Sequence, residues 1–332
     1  MRKRLIDGNL RRFFIVGILA CCSVICRGSL DGADLQAGAG KLWIASQDNS
    51  VISIFDGKQC VLSYRCTDVP MKPCADQLYS PAGVQVLRDS PHDHKHHHAL
   101  MFAVAVDGVN FWEETVGKSG KQVHKSLADM KATVQNGINR AGFVEELDWA
   151  GSASQEPLAV ERRTIAVLKA PDLDATLLDW RSRLQPPPGK DSMTLTGHHY
   201  FGLGMRFIQS MDEGGRFFNA DDKIGEIVRG DERLTPTKWC AFTAKADGKP
   251  VTVAIFDHPQ NPRYPAKMFT MAKPFAYLSA TRNEWKEPLT VKADKPLELS
   301  YGVAVWDGEV DKAAVEKLYQ RWLQLSTDQV KK

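Results

Sequence analysis

The run Pro91-His92-Asp93-His94-Lys95-His96-His97-His98 leads straight into Ala99-Leu100-Met101-Phe102-Ala103-Val104-Ala105-Val106 and stops at Asp107-Gly108. An unbroken apolar run bounded by Asp-Gly reads as a strand ending in a tight turn. The pattern repeats outward in both directions. Val51-Ile52-Ser53-Ile54-Phe55 ends at Asp56-Gly57, and Val84-Gln85-Val86-Leu87 precedes the histidines. Further strands are expected over 163–168, 194–207, 251–256, 276–279 and 297–306, with Asp-Gly again at 247–248 and 307–308. Many short strands with turn signals favour an all-β, mainly antiparallel fold, a sandwich or barrel. Two segments break the pattern. Residues 123–135 read as a short helix or an irregular strand. In 310–325, Ala314, Leu318 and Trp322 recur at helical spacing with Val315 beside them, which predicts a helix packed on the outside of the sandwich. A single domain over 41–328 is expected, after a small-residue linker at 29–40.

The formal charge is +3. Residues 1–28 hold six basic residues and one acid, so the rest of the chain is slightly acidic and lacks the basic face that nucleic acid requires. Arg2, Lys3, Arg4, Arg11 and Arg12 followed by the apolar stretch 13–25 read as an export signal, too short to span a bilayer. This predicts a periplasmic or extracellular protein, with lipid anchoring through Cys21 as an alternative to cleavage near Gly28. No later stretch is long and apolar enough to span. Beyond the leader, Cys60, Cys66, Cys74 and Cys240 allow three disulfide pairings, with one local bridge among the first three or free buried thiols as the options.

Five of the nine histidines lie within 92–98. If the segment is extended, His92, His94, His96 and His98 share one face; a loop lets three or four converge. Imidazoles are both metal ligands and proton carriers near neutral pH. The cluster therefore fits a divalent metal held by His94, His96 and His98, or a polar pocket in which imidazoles hydrogen-bond ligand hydroxyls, or a solvated loop. Asp93 would be a ligand or orienting group. A second cluster, Phe256-Asp257-His258-Pro259-Gln260-Asn261-Pro262-Arg263-Tyr264-Pro265, follows a clean strand. Its prolines stiffen a loop that presents Asp257, His258, Asn261 and Arg263 to a ligand, or else caps backbone amides. A third, His198-His199-Tyr200, puts neighbouring histidines on opposite faces of a strand. Of Trp112, Trp149, Trp180, Trp239, Trp285 and Trp306, one or two exposed rings would suit stacking on a sugar.

These strings resemble a bacterial family of exported proteins labelled methane oxygenase PmoA, or DUF6807. The likeness runs from about residue 60 to 325, through 90–103, 107–112, 161–164, 200–206 and 255–265. It departs at Ala99, where the pattern has Gly, and at His198-His199. A particulate methane monooxygenase subunit is an integral membrane protein, so the label does not imply that activity here. A second, weaker resemblance joins Leu195-Thr196-x-His198-x-Tyr200-Phe201-x-Leu203 to the string bearing the catalytic histidine of aldose 1-epimerases, the galactose mutarotases. Pro296-Leu297-Glu298 is similar to their glutamate segment. That resemblance implies a β-supersandwich, with His198 as acid and Glu298 as base on a sugar.

The combined expectation is an exported β-supersandwich protein that binds or acts on a carbohydrate or similar polyhydroxylated molecule. His96, His97, His198, His258 and Glu298 are the candidate catalytic groups. Asp93, His94, His98, Asp257, Asn261 and Arg263 are the candidate binding groups. The alternatives are a histidine-cluster metalloenzyme and a non-catalytic sugar-binding or envelope scaffold.

Overall fold

The computed structural model describes residues 40–152 and 156–327. The segment expected to be an export signal, Cys21 and most of the expected linker lie outside the described residues. The expected class is the one observed: antiparallel strands throughout and a C-terminal helix, Lys312–Thr327. One sheet has ten strands, in the order Leu42–Gln47, Val51–Asp56, Gln59–Arg65, Cys74–Leu78, Leu100–Ala103, Gly202–Arg206, Tyr277–Thr281, Lys267–Met271, Glu232–Pro236 and Glu226–Arg229. A second has eight, running from Arg216–Asn219 through Trp239–Ala246, Lys249–Asp257, Leu297–Asp307, Ala175–Gln185, Pro157–Lys169 and Ile138–Ala150 to Lys121–Gln135. A small four-stranded sheet carries Ala105–Val106 and Val109–Asn110.

Local turn chemistry explains the hairpins. Asp107-Gly108 and Asp247-Gly248 each have two positive φ values and join strands paired as Val106 with Val109 and Ala246 with Lys249. Only residues tolerant of the left-handed region make such two-residue turns cheaply. Asn136-Gly137 does the same between Gln135 and Ile138. That turn overrides the helical option for 123–135, which is a strand, with register breaks at His124/Ser126 and Ala128/Lys131. Ala99 sits at φ +48, in the left-handed region that favours glycine.

Alternation builds two cores. On Leu297–Asp307, Leu297, Leu299, Tyr301, Val303 and Val305 join the core shared by the two large sheets, while Ala304 and Trp306 face the other way. That outer face is covered by Val315, Leu318, Tyr319, Trp322 and Leu325 of the helix, as its spacing predicts. Gly302 admits this packing, because a Cβ there would lie 3.0 Å from the Trp322 ring. Cys60, Cys66, Cys74 and Cys240 are thiols, so the local bridge is not formed; burial pushes the Cys240 thiol up to about 12. Among the described residues, no helix is long and apolar enough to cross a membrane.

Candidate functional site

The ten-stranded sheet presents its core side, with Met205, Leu278 and Met268, towards the eight-stranded sheet. On its other side Arg206, Tyr277 and Met271 stand opposite one another, with Phe269 and Glu232 at the same alternation. Loops cover this side and leave a cleft of about 410 Å³, lined by His94, His96, His97, Glu113, Tyr200, Arg229, Glu232, Phe269, Met271, Lys273, Phe275 and Tyr277.

The histidine run reaches the cleft because it is turned rather than extended. Amides of His94 and His97 donate to the carbonyls of Pro91 and His94, at 3.0 and 2.9 Å. The rings of His94, His96 and His97 then gather, with centroids 4.6–5.7 Å apart. His97 is the deepest, against Tyr277 and Trp112. Burial, reinforced by His96 and His94, pushes its pKa down to about 2. Burial also lowers His96, whose Nε2 lies 3.5 Å from Glu113 Oε2. The Tyr200 hydroxyl donates to the other Glu113 oxygen at 3.5 Å. Asp93 stands at the mouth, 3.1 Å from His94 Nδ1 and 3.7 Å from Arg206 Nη2. Burial would raise its carboxyl, but the bond from His94 and the Arg206 charge hold it below its usual range.

His98 is not part of this group. It is buried, with Nδ1 2.7 Å from Asp89 and Nε2 2.7 Å from Glu114. Burial would lower its pKa; the two carboxylates outweigh that and raise it. The set His94, His96 and His98 is therefore not brought together, and the third imidazole of the cluster is His97. Among the described residues, the trios whose ligand atoms approach within 4.8 Å are Cys66–His124–Glu145 and Cys74–Asp89–His98. The cleft imidazoles instead pack ring against ring.

The loop 257–265 is not the far wall of the cleft. Asp257 is buried and accepts from Asn261 Nδ2 at 2.7 Å and the Ala266 amide at 2.6 Å. Burial nevertheless pushes it up to about 6. His258 sits edge-on to Trp322 of the helix, 5.5 Å between ring centroids. Arg263 donates to the carbonyls of Arg282, Glu287 and Pro288. These residues tie backbone together, the capping option the sequence left open. Glu298 is exposed on the eight-stranded sheet beside Arg183 and is not paired with His198. His198 bonds instead to His199, whose Nε2 lies 3.0 Å from Glu232. Glu113, Glu232, Phe269, Phe275 and Tyr277 were not identified from sequence. The nearest signal is the acid pair Glu113-Glu114 directly after Phe111-Trp112.

Two buried polar atoms belonging to cleft-lining residues, His97 Nδ1 and Tyr277 Oη, have no protein partner. Gly204 makes room for the hydroxyl, since a Cβ there would stand 2.2 Å from it. A buried hydroxyl without a partner costs stability. Tyr277→Phe is therefore expected to leave the unfolding free energy unchanged or raise it by up to about 1 kcal/mol. A loss above 1 kcal/mol in urea unfolding would show that the hydroxyl is satisfied. His97 sets a pH dependence. The unfolded imidazole binds a proton below about pH 6.5, and the folded one does not until about 2. The unfolded state thus holds more protons in acid, and stability falls as pH falls below 6.5. Between pH 7 and 5, the wild type is expected to lose about 2 kcal/mol more than His97→Gln. Equal losses would mean that folded His97 is protonated.

Comparison with known proteins adds the following. No curated protein matches the chain in sequence. It is similar in fold to the galactosidase domain of an α-galactosidase–sucrose kinase (8% identity, TM-score 0.45, covering 80% of this chain and 42% of that one). It is also similar to a galactose mutarotase-like protein from Clostridium acetobutylicum (10% identity, TM-score 0.42, 80% and 98%). A third is an α-galactosidase from Geobacillus stearothermophilus (9% identity, TM-score 0.44, 81% and 41%). The chain spans about two fifths of the length of the galactosidase chains. The model of the family of unknown function DUF6807 matches residues 52–320, which covers most of the chain and every cleft residue: the protein belongs to the DUF6807 family.

Proposed function

We propose that this is an exported carbohydrate-binding protein whose cleft performs acid–base chemistry on a sugar. The observation that supports it is the cleft itself: three imidazoles, the Glu113 carboxylate and the Tyr200 hydroxyl converge over a floor of Phe269, Phe275 and Tyr277. Polar groups that converge over an aromatic floor suit a ligand with apolar C–H faces and a rim of hydroxyls. His96 is neutral at pH 7 because burial lowers its pKa, so it accepts a proton. Glu113 orients that imidazole and stabilises its cationic form. A leader rich in arginine and apolar residues supports export.

Titration calorimetry with a panel of neutral and acidic sugars tests the reading; heat with none of them would overturn it. A second reading has one specific observation behind it, the three ring centroids of His94, His96 and His97 within 5.7 Å. Those imidazoles would hold a divalent cation once their rings turn, since their nitrogens do not converge in the present packing. Elemental analysis of untagged protein separates the two, because stoichiometric Zn, Fe, Cu or Mn that is lost in His96→Asn favours the metal.

A further inference from the structure

We propose that the cleft continues into a second subsite, where the exposed Trp285 indole carries the next sugar ring of an oligosaccharide and the His198 imidazole accepts a hydrogen bond from it. This rests on the carbohydrate reading of the cleft and adds the length of the ligand.

Trp112, Trp149, Trp180, Trp239, Trp306 and Trp322 are buried, whereas Trp285 is 38% exposed. An indole left in water is costly, yet the loop that holds it is not loose. Arg282 and Glu284 are each 3% exposed and bonded to one another. The amides of Lys286 and Glu287 donate to the Asn283 carbonyl, and Asn283 Nδ2 donates to Glu287. Arg263 clamps the loop from outside through the carbonyls of Arg282 and Pro288, at 3.1 and 3.2 Å. The rigid Pro-Arg-Tyr-Pro segment thus positions an aromatic platform, and a platform ordered in advance loses little freedom when a ligand lands on it.

The His198 ring lies parallel to that indole, 9° between planes and 6.4 Å between centroids. Its protonation pattern follows from its neighbours. Glu232 is ion-paired with Arg229, so it is a carboxylate and must accept from His199 Nε2 at 3.0 Å. His199 is buried and lowered in pKa by that burial, hence neutral, with Nδ1 free to accept. His198 Nδ1, 2.9 Å away, must then donate. In neutral His198 this leaves the lone pair on Nε2 beside the indole. Lys286 Nζ stands 4.8 Å from the indole centroid, so a sugar ring landing on that face displaces this flexible side chain and leaves a stacking face beside a fixed acceptor. The arrangement is continuous with the cleft, since Glu232 and Tyr200 line it and the Tyr200 ring is 5.0 Å from His198.

The test uses the whole chain and three chain-length series: galactose to galactotriose, glucose to cellotriose, and xylose to xylotriose. Calorimetry and tryptophan fluorescence are read together. For the series that binds, the disaccharide is expected to bind at least tenfold more tightly than the monosaccharide and to change the indole emission. Trp285→Ala should erase the gain while keeping monosaccharide affinity, and Trp285→Phe should restore part of it. His198→Ala should reduce the gain. Equal affinities for one and two rings, or a gain that survives in Trp285→Ala, would overturn the second subsite and leave the cleft reading intact. If no sugar in any series binds, both fall together. Circular dichroism on Trp285→Phe guards against loss of fold as the cause.

Discussion

Arg163→Met is expected to cost about 3–5 kcal/mol in unfolding free energy, because it removes the one arginine from a buried network that contains two glutamates. Arg163 is fully buried and clamps Glu161 through Nε and Nη2, at 2.9 and 2.8 Å. Nη1 donates to Tyr64 Oη and Nη2 also donates to Gln122 Oε1, both at 2.9 Å. Tyr64 in turn donates to Glu145, which His124 Nδ1 also approaches at 2.8 Å. Trp149 and Ser182 complete Glu161. The network spans the two large sheets, with Tyr64 on one and the other side chains on strands of the other. Burial would lower the Arg163 pKa, but Glu161 outweighs it and raises it, so the guanidinium stays charged. Methionine fills part of the volume but leaves Glu161 charged without a counter-ion. The double variant Arg163→Met with Glu161→Leu should recover most of the loss, as removing both partners of a buried pair often does. Urea unfolding followed by tryptophan fluorescence measures both. A cost below 1 kcal/mol for the single variant would mean that water reaches Glu161.

His96→Asn is expected to lower turnover of the sugar that binds by about 10²–10⁴-fold, the usual loss when a positioned acid–base group is removed. Glu113→Gln should lose less, because glutamine still accepts a bond from the imidazole but no longer stabilises its cation. The 3.5 Å separation of His96 Nε2 and Glu113 Oε2 is long for a hydrogen bond and is expected to shorten when ligand closes the cleft. Steady-state kinetics on both variants, with binding measured separately, distinguish the roles. Unchanged turnover in His96→Asn would place the chemistry elsewhere. A fall in affinity with no turnover on any sugar, in wild type or variant, would leave a binding protein.

The stretch from Pro91 to Gly108 carried both fold and site, for different reasons. Apolar continuity and the Asp-Gly turn made its extended backbone legible, but not the break at Val104 that sends Leu100–Ala103 to the ten-stranded sheet and Ala105–Val106 to the small one. The Asn136-Gly137 turn, which the reading of 123–135 as a possible helix passed over, obeys the same rule, and the strand pairing across it decides against a helix there. The gathering of His94, His96 and His97 needed only two local turns, so the sequence pointed to the right loop. It did not show that His98 turns away, since that depends on Asp89 and Glu114.

The loop 257–265 shows where local reasoning ends. Asp, Asn, Arg and Pro are the residues both of rigid binding loops and of loops that cap backbone groups. Asp257 and Asn261 are spent on amides and carbonyls, and Arg263 on the loop bearing Trp285. Hydropathy patterning, turn chemistry and helical spacing by themselves determined the β class, most strands and the outer helix, and the clustering of histidines singled out a loop that lines the cleft. Only the tertiary structure decided which histidines meet Glu113, Tyr200 and Tyr277, and which tryptophan is left exposed. The physical reason is one of range: strand and turn preferences are written in neighbouring residues, whereas a cleft is made by side chains whose strands become neighbours only when the sheet pairs Gly202–Arg206 with Tyr277–Thr281 and then with Lys267–Met271.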